Sequence, residues 1–61
     1  MTDAELRAAV AGVFRHRAVL GPARISRLLR AGRDRLGLDW GQLSELSGYP
    51  LPTAFRLTGS A

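Results

Sequence analysis

A chain of 61 residues is one domain at most, and at that length folding buries only about 60% of the surface the unfolded chain exposes, so its core must be thin. With no cysteine and one histidine, His16, the sequence lacks the means for disulfides, thiolate clusters or a paired imidazole site, and no metal or other cofactor is expected. Nine arginines and no lysine against five acids give a formal charge of +4, which favours polyanionic partners because neutralised phosphates release condensed counterions.

The surplus of arginine, alanine, glycine and leucine, with no lysine or asparagine, is also what a GC-rich gene encodes. Charge therefore permits nucleic-acid binding without requiring it. No apolar run nears the ~20 residues of a membrane span, and Met1-Thr2-Asp3-Ala4-Glu5 is acidic where a signal peptide is basic. The expectation is a soluble, cytoplasmic protein with no membrane partner.

Thr2-Asp3-Ala4-Glu5 fits a capping box, in which the threonine hydroxyl accepts an orphan amide and the glutamate reaches back to the cap. Leu6, Val10, Val13 and Phe14 follow at helical spacing and predict a first helix over about 3–17, with His16 as a surface residue near its end. Gly21-Pro22 closes the connection, with Pro22 suited to a first helical position.

A second helix over about 22–36 places Ile25, Leu28, Leu29 and Leu36 within an arc of about 100°, the width of a core-facing stripe. Arg24, Arg27, Arg30, Arg33 and Arg35 take the remaining circumference. They read first as a solvated face; the alternative is that one or two near the C-terminal end, Arg33 and Arg35, touch a phosphate backbone. Gly32 costs about 1 kcal/mol relative to alanine in mid-helix, marking either close packing or a weak point. Gly37 is a plausible stop.

Asp39 is a good N-cap for a third helix over 40–47, with Leu43 and Leu46 inward and Gly48 as its stop. Tyr49-Pro50 makes a turn, and a last helix over about 51–58 starts at Leu51 or Pro52 and runs out at Gly59-Ser60-Ala61. There is no alternating strand pattern and no repeat. The predicted fold is an all-α, compact four-helix domain with a helix-turn-helix at 40–59.

That unit needs a glycine between its helices, a small residue inside the first and an apolar anchor in the second. Gly48, Ser44 and Ala54 stand at those places, with Leu43, Leu46 and Leu57 around them. The stretch Arg33-Asp34-Arg35-Leu36-Gly37-Leu38-Asp39-Trp40-Gly41-Gln42-Leu43-Ser44-Glu45-Leu46-Ser47-Gly48 resembles the phage repressor/Cro (Xre) helix-turn-helix family. The likeness rests on Gly37-Leu38 and on Leu43-x-Glu45-x-x-Gly48 and spans about Leu28 to Gly59.

The resemblance implies a double-stranded DNA partner. Trp40 takes the place of the family's phosphate-anchoring glutamine, and the base-facing positions become Leu51, Pro52, Thr53, Phe55 and Arg56. Arg56 suits a guanine edge or a phosphate, Thr53 a phosphate or base, and Leu51 and Phe55 only thymine methyls or sugars. Tyr49-Pro50 replaces the family's Val-Ser, and Thr58-Gly59 replaces Glu-Asn-Gly. Later family helices have no counterpart. Either the chain is truncated, or Leu6, Val10, Val13 and Phe14 supply that core from the other end.

Two functions follow as expectations. One is a small DNA-binding transcriptional regulator or phage-type accessory factor, working as a homodimer or in a larger assembly. The other is a helix-turn-helix-derived protein-interaction module using the row Trp40, Tyr49, Leu51 and Phe55 as anchors, unless some of these, Tyr49 above all, fill the thin core instead. An enzyme acting on a small molecule is not expected. The five acids read as caps or arginine partners, Ser44 and Ser47 have no histidine base in the motif, and no strand carries a glycine-rich phosphate loop.

Overall fold

In a computed structural model, which describes residues 1–59, the chain is all-α, with helices and turns and no strand among the described residues. The expected run-out of the last helix at Ser60-Ala61 lies outside them. The first helix, α1 (Asp3–Ala11), starts at the Thr2 capping box. Thr2 Oγ1 accepts from the Glu5 amide at 3.1 Å, and the Glu5 carboxylate accepts from the Thr2 amide at 3.0 Å.

The helix predicted over 3–17 is broken. Gly12 caps α1, residues 12–16 form turns, and a single helical turn, α2 (Arg17–Leu20), follows. Glycine at that point weakens the helix by about 1 kcal/mol, and the break aims two residues at separate targets. Val13 is fully buried, whereas Phe14 leaves the stripe and is half-exposed. The Phe14 amide donates to the Ser47 carbonyl at 3.3 Å, its ring stands edge-on to Tyr49, and the Arg17 guanidinium covers it at 4.1 Å.

α3 (Pro22–Arg35) is the longest helix and packs against every other one. Pro22 occupies its first turn, where the missing amide hydrogen has no partner to lose. Ile25 and Leu29 enter the core, while Leu28 and Leu36 lie at its margin. Gly32 is a point of close packing. A β-carbon there would lie 3.2 Å from Leu43 Cδ1 and 3.5 Å from Val10 Cγ2, so glycine lets α1, α3 and the following helix converge.

α4 (Trp40–Ser47) and α5 (Leu51–Leu57) complete the chain. The core joins Leu6, Val10 and Val13 to Ile25, Leu29, Leu38, Leu43, Tyr49 and Ala54. The N-terminal segment thus supplies three of the buried side chains that hold α4 in place. Leu38 and Tyr49 are core residues, and Leu46 and Leu57 flank them.

Candidate nucleic-acid interface

In the unit from 40 to 59, the start of α4 and the turn that follows it are built by local chemistry. Asp39 starts α4 with a second capping box: its carboxylate accepts from the Gln42 amide at 2.7 Å, and Gln42 Oε1 accepts from the Asp39 amide at 3.0 Å. Gly48 ends α4 in the left-handed region, at φ 88°, and its amide donates to the Ser44 carbonyl at 3.0 Å. A side-chain β-carbon is penalised in that conformation.

Ser44 does more than stay small. Its Oγ donates to the Tyr49 carbonyl at 2.6 Å, while buried Ser47 Oγ accepts from the Tyr49 amide at 3.3 Å. Both backbone polar groups of the turn's central residue are therefore satisfied by α4. Pro50 is extended, at φ −58° and ψ 150°, and delivers the chain into α5, where Pro52 sits in the first turn without losing a helical hydrogen bond.

The far end of α5 is held by α3. Ser26 Oγ donates to the Leu57 carbonyl, and Arg30 Nε donates to the Thr58 carbonyl at 3.1 Å. A cation at a helix C-terminus also complements its partial negative charge. Together with fully buried Ala54, these bonds fix the inner face of α5 against α3 and α4. Neither Ser26 nor Arg30 was singled out by sequence as a clamp. Their i,i+4 spacing on one face of α3 was the available signal, but it does not name the partner.

The predicted site residues fall into two groups, with Arg35 apart from both. Leu51, Pro52 and Arg56 are exposed on α5, with Leu51 at 46%, and Thr53 is half-buried beside them. Trp40, Phe55 and Arg33 form a cluster: the Trp40 and Phe55 rings lie 4.9 Å apart, and the Arg33 guanidinium sits 4.3 Å from the indole. Arg33 also donates to the Leu38 carbonyl at 2.8 Å, so it braces the loop before α4.

Arg35 belongs to neither group. Its guanidinium donates to Asp3 Oδ1 at 3.1 Å and to the Met1 carbonyl at 2.9 Å, tying the end of α3 to the start of α1. Two residues after Arg33 is about 200° around a helix, which explains why the neighbours diverge.

α5 carries no acid, and Arg56 is its one charged residue. Among the described residues no group of three or more His, Cys, Asp or Glu side chains could hold a metal ion, and no helix is long and apolar enough to cross a membrane. No protein-family model matches the chain, and no curated protein or solved structure matches it.

Proposed function

We propose that this chain binds double-stranded DNA, with α4 and α5 acting as a helix-turn-helix of the phage repressor/Cro type and α5 presented to a groove. The observation that carries this proposal is the one-sided anchoring of α5. Ala54 and the bonds from Ser26 and Arg30 hold its inner side, leaving Leu51, Pro52 and Arg56 outward with no carboxylate on the helix.

An α-helix with its side chains is about 10–12 Å across, which the ~12 Å width of a major groove admits, and the seven residues of α5 extend about 10 Å along it. Arg56 supplies the strong contact, to phosphate or to a guanine edge, and Thr53 a weaker one. Leu51 reaches only thymine methyls or sugars. One such face reads little sequence, so specificity comes from a second copy or a larger assembly presenting two half-sites, as a transcriptional regulator or phage-type accessory factor would.

Fluorescence anisotropy with labelled random-sequence duplex across a salt series tests this. Binding should weaken linearly in log K against log salt. Absence of binding at low salt, or binding indifferent to salt, overturns it.

A second use of the same face is supported by Leu51, whose 46% exposure on an otherwise anchored helix suits a protein contact. Leu51→Ser separates the two. It should leave the fold and most DNA affinity intact, but would abolish capture of a partner that seats on the leucine.

A further inference from the structure

The seam between α1 and α3, bordered at one side by α2, is apolar at its floor and cationic at its rim. Two adjoining open hollows of about 510 and 490 Å³ lie along it and share Ala9, Leu20 and Leu28. Ala8 and Gly12 widen the first by being small, and Ala31 continues the floor along α3. Of the four large apolar side chains exposed among the described residues, Val19 at 86% and Met1 at 69% both border this seam. A folded chain gains nothing from holding Val19 in water, and exposed apolar surface rimmed by polar groups marks interaction sites.

The charge around the seam selects the occupant. Arg15 borders the first hollow, and Arg24 and Arg27 border the second. No carboxylate lines either hollow. Asp3 pairs with Arg35 at one end and neutralises that arginine alone. Among the described residues no acid lies within salt-bridge distance of Arg15, Arg24 or Arg27. A second copy docking by the same face would oppose these arginines to one another, which is repulsive. A phosphate backbone would meet the arginines but leave the alanine and leucine floor uncovered.

We infer that this seam is a docking groove for an acidic amphipathic helix of another protein, whose apolar stripe covers Ala9, Leu20 and Leu28 while its carboxylates meet Arg15, Arg24 and Arg27. Helix-in-groove recognition needs this combination of apolar floor and complementary rim. The inference is independent of the DNA proposal. The seam uses α1, α2 and the side of α3 that carries Arg24, Leu28 and Ala31, whereas the clamp on α5 uses Ser26 and Arg30.

The probe is a fluorescein-labelled helical peptide with leucine on one face and glutamate on the other, of about 14 residues, hence about 21 Å long. The full chain should bind it saturably, with amide NMR shifts centred on Ala9, Gly12, Val19 and Leu20 and not on α5. Val19→Glu and the pair Arg24→Glu/Arg27→Glu alter exposed side chains only, so circular dichroism should be unchanged while affinity falls about tenfold or more. A peptide of equal charge with serine for leucine should bind at least about tenfold more weakly.

The inference is overturned by several results. These are no saturable binding up to about 1 mM peptide, equal binding of the serine peptide, shifts centred on Leu51 to Arg56, or displacement by duplex DNA with shifts at the seam. Self-association that Val19→Glu abolishes would equally overturn it, assigning the seam to a second copy. Failure of DNA binding would leave all of these outcomes unaffected.

Discussion

Gly48 faces Phe14 so closely that a β-carbon built on the glycine would lie 3.1 Å from the Phe14 β-carbon. The contact joins the turn of the α4–α5 unit to the break after α1, and the Phe14 amide bonded to Ser47 reinforces it. Gly48→Ala therefore meets two penalties. Left-handed backbone costs a β-carbon about 1–2 kcal/mol, and overpacking against a neighbour fixed to backbone adds about 1–3 kcal/mol. Urea unfolding should show a loss of about 2–5 kcal/mol. Gly37→Ala is the comparison, because Gly37 has φ +66° but nothing within 4 Å of its built β-carbon. It should lose only the backbone part, about 1–2 kcal/mol. Equal losses at the two sites would show that the Phe14 contact carries no energy.

Ser44→Ala removes the donor to the Tyr49 carbonyl while keeping the side chain small. Tyr49 is buried, so its carbonyl has little water to turn to, and the cost should be about 1–2 kcal/mol by urea unfolding. A change of less than a few tenths would mean that smallness alone is needed at this position.

The residues that were legible in the sequence are those whose chemistry is local. Thr2-x-x-Glu5 and Asp39 announce helix starts because a cap and its amide lie three residues apart. Gly48, Ser44 and Ala54 announce a tight helical pair because spacing alone places them. The break at Gly12 was not legible. A mid-helix glycine is tolerated or not according to what the following residues find, and Phe14 finds Ser47 and Tyr49 far along the chain. The candidate site divides the same way. Leu51 and Arg56 follow from helical phase, but the partners of Arg33 and Arg35 depend on which helix end packs beside each guanidinium. Composition supplies arginines and does not assign them.

Glu5 carries a pH dependence of known sign. Hydrogen bonding from the Thr2 amide, then from its hydroxyl, stabilises the carboxylate and holds its pKa below the ordinary value. A group with a depressed folded-state pKa stabilises the fold above its unfolded pKa, and that contribution disappears as pH falls through the folded value. Helicity should therefore decline on acidification through the lower carboxylate range, and Glu5→Gln should remove that component. Thr2→Val keeps the amide donor and loses the hydroxyl, so NMR titration should find the Glu5 pKa moved only part of the way back up. An unmoved pKa would show that the hydroxyl takes no part.

Arg33 combines a bond to the Leu38 carbonyl with a seat over Trp40. A hydrogen bond from a charged group contributes about 1.5–3 kcal/mol, and an exposed cation–π contact about 0.5–1 kcal/mol. Arg33→Ala should thus lose about 2 kcal/mol or more. A double-mutant cycle with Trp40→Leu should return a coupling of about 0.5–1 kcal/mol for the ring contact alone. Zero coupling would show that Arg33 braces the loop without help from the indole.

Arg56 and Arg35 separate the proposed DNA face from the general charge of the chain. Both are exposed arginines, so removing either lowers the net charge equally. Arg56 stands on the outer side of α5, whereas Arg35 is held at the start of α1 by Asp3 and the Met1 carbonyl. If α5 is the helix presented to DNA, Arg56→Ala should weaken binding to random duplex and reduce the log–log salt slope by about one, the loss of a single phosphate contact. Arg35→Ala should leave that slope unchanged and cost no more than about 1 kcal/mol of stability, as an exposed ion pair does. Equal slopes for the two variants would mean that DNA senses only overall charge. A larger change for Arg35→Ala would move the interface off α5 to the side where α1 begins.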